Sequence, residues 1–347
     1  MTKKIRVLIV DDSALVRTLL TEILETDSNL EVVGAARDPF QAREMIKQLN
    51  PDVLTLDIEM PRMNGLTFLS NLMRLRPMPV VMISTLTQAG APATLEALEL
   101  GAIDFLGKPK DQGPAGLAEY KRRIISKVRG AAGANLTGRD DAWLDQSPVT
   151  VAPNSRLKAN FICAIGASTG GTEAIKDVLR VLPKQSPPIL IAQHIPASFS
   201  TSFAARLDSN CEIKVFEAED NQPIRAGCAY LAPGSHHLEL GRSSYGYVCK
   251  LTDAPPVNRH KPSVEVLFQS VLKNAGKNAM GVILTGMGAD GAEALLEMKE
   301  GGCSTIAQDE KSSVVWGMPG AAVKLNAAEE VLPLNRIPEA IIRGAFS

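Results

Sequence analysis

Serine, histidine and aspartate, which together can serve as nucleophile, base and orienting carboxylate, each stand in this chain where an apolar run ends and a loop begins. Ser168 lies in Ala164-Ile165-Gly166-Ala167-Ser168-Thr169-Gly170-Gly171, and His194 in Ile191-Ala192-Gln193-His194-Ile195-Pro196. Asp290 lies in Ile283-Leu284-Thr285-Gly286-Met287-Gly288-Ala289-Asp290-Gly291. A Gly-rich turn from strand to helix gathers unpaired backbone N–H groups at the positive end of a helix dipole, which suits a bound phosphate or a reacting oxygen. Gly166 to Gly170 fits the Gly-x-Ser-x-Gly pattern that presents a serine oxygen at a sheet edge. If the three strands share one sheet, their loops meet at one end, as a nucleophile, its base and a carboxylate require. The order Ser, His, Asp differs from the Ser, Asp, His order of α/β-hydrolases, so the expected fold is a separate one.

Other readings of these residues remain open. Dinucleotide binding is disfavoured because Ser168 replaces the middle glycine of Gly-x-Gly-x-x-Gly and the next strand ends in Gln193-His194 rather than an acid for a ribose. Taken singly, a strand-end histidine is a packed residue and Asp290 a helix cap. His236, His237 and His260 are rivals to His194. His260, in Arg259-His260-Lys261-Pro262-Ser263, is the second candidate, as base or in substrate contact, and its basic neighbours can meet an acidic substrate.

A second set of polar residues lies in the first 130 positions: Asp11-Asp12, Asp57, Ser84-Thr85 and Lys108-Pro109, each pair or residue after its own apolar run. Three carboxylates from two adjacent strands repel one another without a cation, and Mg2+ held by a few carboxylates and waters is the natural occupant. Asp57 is then the nucleophile toward a phosphoryl donor, with Lys108 and Ser84 contacting phosphoryl oxygens. The plainer reading of any one of these aspartates is a helix cap or a solvated loop residue.

The elements that must position these groups follow from periodicity. Runs at 5–10, 32–36, 53–56, 80–84 and 104–106 read as strands, with helical patterns between them. Residues 13–26, for example, set Leu15, Leu19, Leu20, Ile23 and Leu24 on one stripe. In the second half, strands are expected at 161–166, 189–193, 213–216, 280–284 and 303–307, and helices at 171–182, 200–209, 264–276, 291–300 and 338–345. Cys228 to Leu251 alternates like antiparallel strands. The expected fold class is α/β in two domains, an N-terminal (βα)5 unit and a C-terminal, mostly parallel, doubly wound sheet with a small antiparallel hairpin. The boundaries are 1–129 for the first domain, 130–157 for a linker of small, polar and Pro residues, and 158–347 for the second. Within the linker, Trp143 with Leu144 is either a docking point or incidental.

Composition excludes several classes. The 347 residues carry 37 Lys+Arg and 38 Asp+Glu, spread evenly over both halves, so no nucleic-acid or anionic-membrane surface is expected. No run approaches the ~18 apolar residues of a membrane span, and Asp11-Asp12 cut the first run short of a signal-peptide core. The five cysteines are scattered and lack Cys-x-x-Cys spacing, as in a cytoplasmic protein with reduced, mostly buried thiols.

Two resemblances sharpen these expectations. Asp11-Asp12, Asp-Ile-Glu-Met-Pro-Arg-Met-Asn-Gly at 57–65, Ser84-Thr85 and Lys108-Pro109 resemble the receiver domain of response regulators over its full length. That implies Asp57 as phospho-acceptor, Mg2+ on Asp11, Asp12 and Asp57, Ser84 in the place of the switch hydroxyl and Lys108 as the family's lysine. The serine segment, Gln-His-Ile-Pro, Leu-Ala-Pro-Gly, Arg-His-Lys-Pro-Ser-Val and Leu-Thr-Gly-Met-Gly-Ala-Asp-Gly, in that order behind a receiver, resemble the chemotaxis protein-glutamate methylesterases across essentially the whole chain. Departures such as Ser235-His236 and Gly107 fall outside the candidate triad.

The second resemblance implies hydrolysis of γ-glutamyl methyl esters on methyl-accepting chemoreceptors, with deamidation of receptor glutamines, in two-component chemotaxis signalling. It also implies a histidine kinase as phosphodonor, a cytoplasmic location, and no cofactor in the esterase domain. Ser168 attacks in this scheme, His194 takes and returns the proton, and Asp290 orients the imidazole. Backbone N–H groups near Met287 and after Ser168, with the Thr169 hydroxyl, receive the oxyanion. The unphosphorylated receiver is expected to cover the serine-bearing face. Two other classes are a response regulator whose second domain only binds a partner and a nicotinamide-dependent dehydrogenase; a DNA-binding output is disfavoured further because no basic helix-turn-helix pattern appears.

Overall fold

The alternation in the first half folds into five parallel strands in the order β2-β1-β3-β4-β5. The structure is a computed structural model that describes residues 3–84, 90–108, 113–136 and 147–347. It falls into two compact units, Met1–Leu136 and Thr137–Ser347. The first unit runs β1 (Ile5–Val10), α1 (Ala14–Leu24), β2 (Leu30–Ala36), α2 (Pro39–Leu49), β3 (Val53–Asp57), α3 (Gly65–Leu75), β4 (Val80–Ser84), α4 (Ala91–Glu99), β5 (Asp104–Gly107) and α5 (Gly113–Ala132). β3 and β4 are buried along their whole length, as the central strands of a sheet covered on both faces must be. Each of the first three helices starts on a side-chain cap. Ser13 accepts from Val16 N, Asp38 from Gln41 N and Asn64 from Thr67 N, which satisfies N–H groups that a helix cannot pair itself.

One expectation in this unit needs correction. Leu20, Ile23 and Leu24 of α1 are buried, but Leu15 is 78% exposed. Helical side chains lean toward the helix N-terminus, so in the first turn, just past the end of β1, Leu15 leans over a loop and not over the sheet.

The second unit contains β6 (Ile162–Ala167), α6 (Gly171–Arg180), β7 (Ile189–Gln193), α7 (Ala197–Asn210), β8 (Lys214–Glu217), β9 (Cys228–Leu231), β10 (His237–Ser243), β11 (Gly246–Thr252), α8 (Val264–Ala275), β12 (Ala279–Ile283), α9 (Ala292–Glu300), β13 (Ser304–Gln308), α10 (Met318–Lys324), β14 (Glu330–Leu332) and α11 (Ile337–Ala345). Seven strands form one parallel sheet in the order β14-β13-β12-β6-β7-β9-β8, and β10 pairs antiparallel with β11. The 228–251 stretch therefore divides: β9 joins the parallel sheet between β7 and β8, and only β10 and β11 form the hairpin. The alternation runs across both because a short edge-region strand and a hairpin strand share a two-residue period. β14 and α10 were not expected; both are short, and β14 is largely exposed, so neither leaves a periodic apolar signature. A core of Phe268, Leu267, Val264, Leu295, Met298, Ile283 and Tyr230 fills the face carrying α8, α9 and the hairpin.

Residues 147–158 pack on this second unit: Val149 N bonds Val181 O, and Arg156 exchanges backbone bonds with Ser347. Thr85, Pro109, Trp143 and Leu144 lie outside the described residues. Among the described residues, no helix is long and apolar enough to cross a membrane.

Both sheets reverse direction of growth at a defined place. In the first, β1 lies between β2 and β3; in the second, β6 lies between β7 and β12. At such a switch the connecting loops leave in opposite directions and open a crevice beyond the strands' carboxyl ends. Register puts Val10 opposite Leu56, so Asp11 and Asp57 emerge side by side. It puts Ala167 opposite Gln193 and Ile283 opposite Gly166, so the loops bearing Ser168, His194 and Asp290 leave from adjacent strands.

Candidate active site

The serine turn is built from backbone bonds and absent side chains. Ser168 N donates to Thr285 O at 3.1 Å, and Ser168 O accepts from Gly171 N at 2.7 Å and from Gln193 Nε2 at 2.9 Å. Gly170 has φ +76°, and a Cβ on it would sit 2.7 Å from Val314 Cβ, while one on Gly171 would overlap Gln193 Oε1. Only glycine fits either position. α6 starts immediately, and its N-cap Gly170 has no side chain to cap it, so the helix start and its dipole face the turn.

His194 Nδ1 lies 3.1 Å from Ser168 Oγ and Nε2 lies 2.8 Å from Asp290 Oδ2. The His194 and Asp290 side chains are 8% and 2% exposed, so water competes little for these bonds. Asp290 is an acceptor only when ionised, which assigns the ring hydrogen to Nε2 and leaves Nδ1 as a lone pair facing the serine hydroxyl. The carboxylate has further donors: Asn258 Nδ2 at 2.9 Å, Ser263 Oγ at 2.8 Å and Val264 N at 2.7 Å. Burial pushes the Asp290 pKa up, but the His194 bond and charge, Asn258 and the Val264 N–H outweigh it and carry the group down to about 2. The magnitudes agree: burying a carboxylate costs several kcal/mol, and hydrogen bonds to a charged group return about 1.5–3 kcal/mol each. The chain Ser168, His194, Asp290 can thus move a proton off a nucleophilic oxygen and stabilise the resulting imidazolium.

The remaining candidates fall around this chain. The His260 ring stacks on His194 with centroids 3.6 Å apart and planes 6° from parallel, beside the base and not in its place. Thr169 is buried on the serine turn, and Met287 is half-buried on the turn that carries Asp290. His237 is fully buried; its Nε2 meets Pro255 O at 3.1 Å and its Nδ1 accepts from Ser263 N at 3.1 Å, a structural role. His236 meets Ser235 Oγ. Sequence reasoning missed Asn258, Ser263 and Glu265 as partners of the Asp290 turn. Ser263, just before an apolar helix, is a visible cap signal; that its hydroxyl serves a carboxylate 27 residues later is not.

In the first unit, Asp11, Asp12 and Asp57 offer carboxylate oxygens all within 4.8 Å of one another. Lys108 Nζ lies 2.6 Å from Asp57 Oδ2 and 3.3 Å from Asp11 Oδ2. Burial outweighs this lysine and pushes the Asp57 carboxyl up to about 6, and burial likewise raises Asp11. Asp11 Oδ2 is buried, and the Lys108 ammonium is its only close partner among the described residues. Raised carboxyls gathered within reach of one another, with only Lys108 as a cationic partner among the described residues, fit a hard cation such as Mg2+. Ser84 Oγ lies 3.2 Å from Thr94 Oγ1 of α4, in a buried contact. The five cysteines are unpaired, and burial pushes the thiols of Cys211 and Cys249 up to about 12, so neither is a ready nucleophile.

Comparison with known proteins adds independent findings. Residues 163–341 match the CheB methylesterase family, and residues 7–114 match the response regulator receiver domain. The chain is 62% identical over 99% of both chains to protein-glutamate methylesterase/protein-glutamine glutaminase 2 of Saccharophagus degradans. It is 54% identical, over 98% of both chains, to the protein of that name without the number from Hydrogenovibrio crunogenus. Among solved structures, the CheB methylesterase catalytic domain of Thermotoga maritima superposes with a TM-score of 0.52 at 37% identity, covering 53% of this chain and 97% of that one.

Proposed function

The chain belongs to the CheB methylesterase family, with a receiver domain ahead of the esterase, and from that premise we propose that it hydrolyses γ-glutamyl methyl esters of chemoreceptors by a Ser168–His194–Asp290 triad. The observation that carries this reading is the unbroken path from Ser168 Oγ to His194 Nδ1 at 3.1 Å and from His194 Nε2 to Asp290 Oδ2 at 2.8 Å. Ser168 Oγ bonds to the ester carbonyl carbon while its proton passes to His194 Nδ1. The C–OCH3 bond then breaks, and the proton on Nδ1 leaves with methanol. Water, deprotonated at the same nitrogen, attacks the acyl-enzyme and releases the γ-carboxylate with Ser168 restored. Asp290, ionised and held by its donors, stabilises the imidazolium at each stage. In this scheme N–H groups of the Thr169 and Met287 turns, backed by the α6 dipole, receive the oxyanion.

The same path, with ammonia as leaving group, accounts for deamidation of receptor glutamines, consistent with the double name borne by the relatives. In the receiver domain, Asp11, Asp12 and Asp57 would hold Mg2+, which supplies charge neutralisation to an incoming phosphoryl group. Asp57 accepts that group from the histidine kinase of the pathway, Lys108 pairs with its oxygens, and Ser84 leaves Thr94 to meet it. The receiver restrains the esterase until this happens. The domain division that serves this scheme is 1–129, a connector over 130–157, and 158–347.

Methanol release from methylated receptor, measured with and without a small phosphodonor, tests the reading. Release that rises with the phosphodonor is expected. No release in either condition would instead favour a second domain that only binds a partner.

A further inference from the structure

We propose that Glu265 is a positioning residue for the Asp290–His194 pair, holding it through two helix caps that α8 and α9 exchange. The inference rests on the triad reading above. Neither helix has a hydrogen bond from its own N-cap side chain: Ser263 of α8 makes none to its helix, and the N-cap of α9 is Gly291. Each is capped from the other instead. Asp290, at the head of α9, accepts Val264 N of α8 at 2.7 Å. Glu265, in the first turn of α8, accepts Gly291 N at 3.1 Å and the Ala294 N–H of α9.

The exchange leaves Asp290 little freedom. Each cap bond removes an unpaired N–H from the low-dielectric interior, and the ionised Asp290 also places a negative charge at the positive end of the α8 dipole. Here the Glu265 bond falls on the residue directly after Asp290, so it fixes the turn that aims Oδ2 at His194. Gly291 has φ +85° and a Cβ on it would overlap Val264, so the two helix starts are in direct contact. Glu265 is only 7% exposed. Burial, with the charge of Asp290 added to it, pushes its carboxyl up to about 7. A buried acid beside another acid is costly, and packing alone would be served as well by leucine.

The test uses the full-length protein activated by a phosphodonor and two conservative variants that separate reach from charge. Glu265→Gln keeps an acceptor oxygen for Gly291 N, whereas Glu265→Asp keeps the charge but is one methylene too short. Steady-state methanol release is read with the downfield proton resonance of the His194–Asp290 hydrogen bond, assigned by its loss in His194→Ala. Glu265→Asp is expected to lose about ten-fold or more in kcat with KM nearly unchanged and to shift or lose that resonance, while Glu265→Gln stays within about three-fold and keeps it. Parental kcat in Glu265→Asp, or an equal fall in both variants, overturns the proposal. Ser168→Ala separates the two failures. Methanol release persisting in it overturns the triad reading, whereas a silent Ser168→Ala beside a parental Glu265→Asp overturns only the positioning role.

Discussion

At the scale of single residues, the decisive feature is which histidine nitrogen faces which partner. Nδ1 of His194 faces Ser168 and Nε2 faces Asp290, while His260 stacks on the same ring without lying between serine and aspartate. His194→Ala is therefore expected to lower kcat/KM for methyl-ester hydrolysis by about 10²-fold or more, and His260→Ala by clearly less. A larger loss at His260 would reverse their roles, and parallel assays of the two purified variants decide it. The identities of these residues were readable because parallel sheets gather functional side chains at strand ends, and Ser168, His194 and Asp290 each follow a buried run. The nitrogen assignment was not readable, since it depends on ring orientation. Nor were Asn258 and Glu265, whose partners are Asp290 and Gly291 on a loop well downstream.

At the scale of elements, the caps exchanged by α8 and α9 tie the site to the titration of two buried acids. Asp290 has its pKa depressed from 3.8 to about 2, so its stabilising contribution is present above the unfolded value and is lost as pH falls through about 2. Glu265 has the opposite sign. Its pKa is raised from 4.5 to about 7, so its contribution is full below 4.5 and is lost as pH rises through about 7. Asp290 and Glu293 both act on it in that direction. Replacing Glu265 by Gln removes this titration. Relative to the parent, Glu265→Gln should gain stability between about pH 5 and pH 8, by at most roughly 3 kcal/mol. Thermal melts of both proteins at the two pH values measure it, and a constant difference would contradict the raised pKa. The main strands and helices of both sheets were legible because they are long or wholly apolar. β14 was too short and exposed to register, and β9 could not be assigned to its sheet because period alone does not name a strand's neighbours.

At the scale of the whole molecule, two sheets of one construction principle gather polar side chains at their switch points, Asp11, Asp57 and Lys108 in one and Ser168, His194 and Asp290 in the other. If Asp57 is the phospho-acceptor, Asp57→Asn keeps basal methanol release and abolishes its increase with a small phosphodonor. Chelating Mg2+ should abolish the same increase in the parental protein; activation surviving both treatments would remove Asp57 and its cation from the account. Periodicity and strand-end polar residues made the two-part division readable in outline, and the family resemblance sharpened it, whereas the caps behind Asp290 emerged only from side-chain placement. The central claim is that Ser168 is the nucleophile, and its most direct test is methanol release from methylated receptor by folded Ser168→Ala beside the parental enzyme. The account predicts that the variant falls by at least about 10²-fold while its thermal melt is unchanged. Release at the parental rate from a folded Ser168→Ala protein would contradict it.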